Sequence, residues 1–186
     1  AVAFNAPIGG TLVAVEEVTK SFRLQTVLAT RLACASAVGC VRFIIGNEPD
    51  VLVRSIEAPN LGWLPVFVVF GLLTGCLGAV YNRLVLWFLD HVTGWRRIPA
   101  LAKAAVIGAV IGLAMFVNPL AVGGGDPLTQ MILSGQYLVL PVVAGYLLVR
   151  FVAGPLSYSA AVPGGLFAPL LAIGALWGLL FVGGFD

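Results

Sequence analysis

The sequence predicts an all-α membrane protein, a partial bundle of broken and tilted helices, and three observations carry that prediction. Hydrophobic residues make up 60% of the 186 and charged residues only 10%, where a soluble domain carries about 25% charge. Mean hydropathy is +1.06. Uncharged runs long enough to cross lipid recur along the chain, and Pro and Gly interrupt them. Each crossing needs ~20 apolar residues, so there is room for about five spans plus some half-length pieces.

The elements follow in order. Ala1 to Ala6 shows no initiator Met, no basic n-region and no signal-like cleavage site. A helix is expected to be under way already at Ala1, and the chain stops at Asp186 directly after an apolar run; both ends are therefore expected to be cut from a longer protein. Pro7 to Val15 is apolar but too short to cross, and it ends in Glu16-Glu17 followed by Lys20 and Arg23. Leu24 to Ile45 reads as a span whose Arg31 and Arg42 lie near enough to its ends to snorkel. After a polar loop over 46–60, Leu61 to His91 reads as one helix too long for a perpendicular crossing, hence tilted or protruding. The basic turn Arg96-Arg97 to Lys103 precedes two uncharged runs, Ala104 to Val122 and Pro127 to Val149. A third, Phe151 to Phe185, is interrupted by Pro155, Pro163 and Pro169, so it is too broken to be one helix.

Lys and Arg in short flanking loops set orientation. The loop after Glu17 and the loop before Ala104 are basic, whereas 46–60 holds Arg54 among Glu48, Asp50 and Glu57, and 118–137 holds no base. Two spans separate the basic loops. Both, with Glu16, Glu17, Arg96 and Arg97, are expected on the cytoplasmic side. Small residues four apart (Ala6, Gly10 and Ala14; Ala29, Ala33 and Ala37; Gly71, Gly75 and Ala79; Gly108 and Gly112; Gly174 and Gly178) predict closely approaching helices in a tightly packed bundle.

Composition excludes several functions. A net charge of +2 spread along the chain gives nucleic acid no basic patch. Cys34, Cys40 and Cys76 form no CxxC pair and read as small buried hydrophobes. His91 is the only histidine and sits beside Asp90, so neither a metal site nor a catalytic triad can be assembled. The chain is not read as an enzyme. Arg150, a lone base deep in apolar sequence, reads as a residue with a structural partner or a snorkelling one, with substrate binding as the alternative.

Two segments carry chemistry. In Pro163-Gly-Gly-Leu-Phe-Ala-Pro169, a Gly-Gly turn lies between apolar runs, and irregular backbone at membrane depth must be buried in protein or line a wet cavity. Pro169 suits a first helical turn, which predicts a helix from about Phe167 toward Val182. Amides at a helix start lack intrahelical acceptors and sit at the positive end of the dipole, so Gly165, Leu166, Phe167 and Ala168 are candidates to bind a small anion; a plain Pro-Gly kink is the alternative. In the second segment, Phe4-Asn-Ala-Pro-Ile-Gly-Gly10 leads to Glu16 and Glu17, which diverge by about 100° on a regular helix. One of the pair can serve proton transfer at the rim of a pathway while the other is solvated; the alternative is two solvated carboxylates. Gly123-Gly-Gly-Asp-Pro127 lacks the ending of a phosphate loop and reads as an outer-side turn.

At these residues the chain resembles the ClC family of chloride channels and chloride/proton antiporters. Gly165-Leu-Phe-Ala-Pro169 fits that family's G-x-F-x-P filter signature, and Phe4 to Gly10 with Glu16-Glu17 resembles its segment bearing an inner acidic residue. Tyr81-Asn82-Arg83 and Gly123-Gly-Gly125 are less specific echoes. The resemblance implies a ClC-type inverted-repeat bundle, with 1–60 ending one repeat and 61–186 beginning the next. It implies chloride held by the amides of Leu166, Phe167 and Ala168, Glu17 as the internal proton-transfer glutamate, and chloride and protons as substrates without any cofactor. It further implies a homodimer in the lipid bilayer, with Ile8, Leu12 and Val15 and the helix Leu24 to Ile45 in the interface. The family's serine motif and gating-glutamate motif are expected before Ala1, and its filter tyrosine beyond Asp186. A chloride/proton antiporter is the leading expectation. A passive voltage-gated-type chloride channel is the runner-up, and a helical bundle with no transport role is the remote alternative.

Overall fold

The computed structural model describes residues 2, 6–20, 22–44, 46, 60–95, 97–136, 138–162 and 165–184, with only the backbone of 17–19. Phe4, Asn5, most of the loop 46–60, Arg96, Pro163 and Gly164 lie outside the described residues. Every regular element among the described residues is helical. The chain divides into two compact units, Ala1–Val53 and Arg54–Asp186. Sequence expectation put a division at residue 60.

In the first unit, α1 (Pro7–Val13) begins on Pro7 and ends sooner than the expected Val15, because the chain passes into a π-helical turn, Ala14–Thr19. Thr11 Oγ1 donates to Pro7 O at 2.8 Å, closing a polar group back onto its own helix. Lys20, with φ 45°, ends the turn in the left-handed region. α2 (Leu24–Ile44) has 21 residues and is therefore about 31 Å long, the thickness of a bilayer core. Val38 is its buried residue, while the ridge Ala29, Ala33 and Ala37 is exposed.

In the second unit, Asn60 Oδ1 accepts from Gly62 N at the start of a short 3-10 turn, Leu61–Trp63, that leads into α3 (Leu64–Gly94). With 31 residues α3 is about 46 Å long, which fits the expected tilted or protruding span. Lys103 Nζ donates to Val92 O at 2.6 Å, satisfying a carbonyl in the last turn of α3. α4 is Ala100–Val117, not the uncharged run 104–122: Pro99 places its start, and Asn118 ends it by accepting from Leu120 N (3.0 Å) and donating to Tyr146 Oη (3.1 Å). The run Pro127 to Val149 is likewise two helices, α5 (Asp126–Leu133) and the start of α6 (Leu140–Tyr158), parted where Gly135 takes φ 80°. Pro155 does not interrupt α6, which carries it inside the helix, fully buried. α7 is Phe167–Gly183.

The core of this unit joins Tyr81 and Val85 of α3, Leu128 of α5, Val143 and Leu147 of α6, and Ile173 and Leu176 of α7. Among the described residues, no neighbouring element closes on the expected ridges at Gly71, Gly75, Gly108, Gly112, Gly174 and Gly178: beyond its own helix backbone and chain neighbours, a Cβ at any of them would find nothing within 4 Å. A small-residue ridge permits close approach but attracts nothing by itself. Close approach occurs instead at Gly125, Gly154 and Gly183, where side chains of neighbouring elements lie over the backbone. Among the described residues, four helices (the α2 span, 61–94, α4 and α6) are long and apolar enough to cross a membrane, and within 61–94 an 18-residue apolar window has none of its residues buried.

Candidate functional site

The site is built at the break between α6 and α7. α6 closes with Ser159 N–H to Pro155 O at 3.0 Å, Ala160 N–H to Ser157 O at 3.2 Å, and Ala161 in the left-handed region at φ 57°. Gly165 and Leu166 are not helical, and α7 then begins at Phe167, the expected residue. Leu166 caps it without a side-chain bond, and Leu170 N–H to Leu166 O (3.0 Å) opens the hydrogen-bond ladder. Pro169 occupies the first turn, where a missing N–H costs no helical bond.

This helix start opens onto a cavity of about 360 Å³. Gly165, Leu166, Ala168 and Pro169 form one wall, Ala153, Gly154, Ser157 and Tyr158 of α6 another, and Gly123 and Gly124 a third. The Phe167 side chain is turned outward and 67% exposed. Positive dipole at the helix start, small residues around it and a few hydroxyls suit a small anion better than a cation or a bulky organic ligand.

Arg150 also lines the cavity yet is only 3% exposed. Its Nε donates to Leu120 O (3.1 Å), Nη2 to Leu120 O (2.6 Å) and Val122 O (3.1 Å), and Nη1 to Gly123 O (3.1 Å). The sequence expectation of a structural partner for this base is met by carbonyls rather than by an acid. The turn that supplies them has left-handed glycines at Gly123 (φ 83°) and Gly125 (φ 91°). Sequence reasoning took the glycine run as a peripheral turn and missed that it walls the cavity. The available signal was the pairing of needs: a lone buried cation requires acceptors, and a bare glycine turn presents carbonyls.

The remaining candidates belong to the first unit. Glu17 lies on the π-helical turn, as does Glu16, whose side chain is exposed; the side chain of Glu17 lies outside the described residues. π-turns occur often at functional positions. Ile8 and Leu12, one turn apart on α1, are 67% and 59% exposed, whereas Val15 is 2% exposed. His91 is engaged by the Trp87 ring, with centroids 4.1 Å apart. Of the three cysteines expected to be buried, Cys34 is half-buried, and Cys40 and Cys76 are instead exposed on the apolar surfaces of α2 and α3.

Comparison with known proteins bears on this geometry. The family model described as "Voltage gated chloride channel" matches residues 1–186. The H(+)/Cl(-) exchange transporter ClcA of Vibrio cholerae serotype O1 is 34% identical over 97% of this chain and 40% of its own length. Proteins of the same name from Klebsiella pneumoniae and Vibrio parahaemolyticus are 33% and 31% identical, over 96% and 97% of the chain and 39% and 40% of their own lengths. The chain thus spans about two fifths of the curated relatives it matches.

Proposed function

The chain belongs to the voltage-gated chloride channel family, and from that premise we propose that the protein moves chloride across a membrane as a chloride/proton exchanger. Membership, together with four helices suited to crossing lipid, makes it an integral multi-pass membrane protein. The observation that carries the chloride reading is the start of α7 at Phe167 on a cavity of about 360 Å³ walled by Gly165, Leu166 and Ala168. In the proposed site the amides of Leu166, Phe167 and Ala168 hold the anion, with Gly165 leaving it room to approach. The helix dipole compensates charge that lipid could not.

Exchange rather than passive flow is favoured by Glu17 and by the relatives' names, which specify H(+)/Cl(-) exchange. Glu17 is proposed to take up and release the coupled proton at the cytoplasmic edge, the side also proposed for Glu16, Arg96 and Arg97. Ile8 and Leu12 are proposed to face a second copy in a homodimer, with Val15 packed behind them. Two measurements on the full-length protein test the two halves of the reading. Crystals soaked in bromide should show anomalous density at the amides of 165–168, and none there would reject the anion site. In liposomes, Glu17→Ala should retain chloride flux but lose chloride-driven proton uptake; intact coupling would reject Glu17.

A further inference from the structure

Arg150 does more than satisfy its own charge, because the turn it holds is seated on α7. A Cβ at Gly125 would stand 2.5 Å from Ala172 Cβ, and one at Gly124 would stand 3.9 Å from Ala168 Cβ. Ala168 and Ala172 are one helical turn apart at the beginning of α7, and Ala168 walls the cavity. The guanidinium therefore sits behind a turn whose other side rests on the helix start. Its four bonds reach carbonyls of Leu120, Val122 and Gly123, three points that fix the turn as a rigid body.

We propose that Arg150 is a positioning residue for anion selectivity: by clamping the turn 120–125 against Ala168 and Ala172, it sets where the first residues of α7 stand along the cavity, and so which anions fit. This rests on reading that cavity as the chloride site. The planar fork of an arginine suits the task, since it spreads donors over several acceptors in one fixed geometry. A lysine keeps the charge but offers a compact ammonium on a flexible stem and cannot span the same carbonyls. Direct attraction of anions by the cation would depend on charge alone and would survive that change.

The test measures efflux of chloride, nitrate and thiocyanate from liposomes holding the full-length protein. Arg150→Lys should shift the nitrate-to-chloride and thiocyanate-to-chloride ratios severalfold while chloride efflux continues. Ala172→Gly, which loosens the seat of the turn without lining the cavity, should shift the same ratios in the same direction, and it decides the matter if Arg150→Lys does not fold. Unchanged ratios in either folded variant overturn the clamp. A shift in Arg150→Lys alone assigns the effect to the cavity wall, and a shift confined to Arg150→Met assigns it to charge; both overturn the clamp as well. Absence of chloride efflux from the wild-type protein would instead overturn the chloride reading, and this inference with it.

Discussion

A hydroxyl packed on a helix backbone leaves no room for a methyl group. Tyr81 of α3 lies edge-on to Phe151, with centroids 5.1 Å apart, and a Cβ built at Gly154 would stand 2.5 Å from its Oη. That hydroxyl is buried and has no hydrogen-bond partner among the described residues. Tyr81→Phe should therefore stabilise the protein by about 1 kcal/mol, because an unsatisfied polar atom leaves the core while the ring contact remains. Gly154→Ala alone gains about 1 kcal/mol of helix propensity but suffers about 1–3 kcal/mol of overpacking, so a net loss is expected. Once Tyr81→Phe has removed the hydroxyl, the nearest ring carbon would be 3.6 Å away, and the same alanine should become neutral or stabilising. Thermal unfolding of the two single variants and the double variant in detergent reads the sign change directly. Gly125→Ala should be worse than Gly154→Ala, since its Cβ would meet both Ala172 Cβ and Arg150 Nη1, at 2.5 and 2.7 Å. Its φ of 91° adds backbone strain that trimming a partner cannot remove.

Between elements, a polar contact joins α7 to α3: Trp177 Nε1 donates to Thr74 Oγ1 at 3.0 Å, and Thr74 in turn donates to Phe70 O at 2.7 Å. Interhelical hydrogen bonds in membrane proteins average ~0.6 kcal/mol. A double-mutant cycle with Trp177→Phe and Thr74→Val should return a coupling of about that size, and additive losses would show that apolar packing alone docks α7. The same elements show what local pattern can reveal. The starts of α2 at Leu24 and α7 at Phe167 follow from polar or proline-rich sequence giving way to an apolar run. α4 does not follow from its uncharged run, because Pro99 and the Asn118 side chain, not the nearest charges, decide its ends. Pro155 stays within α6, surrounded by packing that makes its missing donor tolerable. The role of the 123–125 glycines was illegible for a different reason: their partners Arg150 and Ala172 are remote in sequence, and only the folded chain brings them together.

At the scale of the whole molecule, orientation depends on where charge sits relative to the spans rather than on packing. Large apolar side chains such as Leu72, Phe116 and Leu148 are 68%, 87% and 68% exposed, a surface that would cost little in lipid and much in water. Some charges flank the spans: Glu16 and Lys20 precede α2, and Arg97 follows α3, all three exposed. Were α2 and α3 both to cross, as their length and composition allow, two crossings would separate Glu16 from Arg97 in sequence, and the basic flanks would favour the cytoplasmic side for both. The prediction is that Glu16→Cys and Arg97→Cys, each in a protein with Cys34, Cys40 and Cys76 replaced by alanine, react with a membrane-impermeant maleimide from one and the same side of the membrane. In cells that side should be the interior, so labelling should require permeabilisation. Before replacement, Cys76 should resist the impermeant reagent yet react with a lipophilic one, because it is exposed on α3 near the middle of an uncharged run. Labelling of the two engineered positions from opposite sides would mean that one of α2 and α3 does not cross, and with it would go the proposed cytoplasmic placement of Glu17.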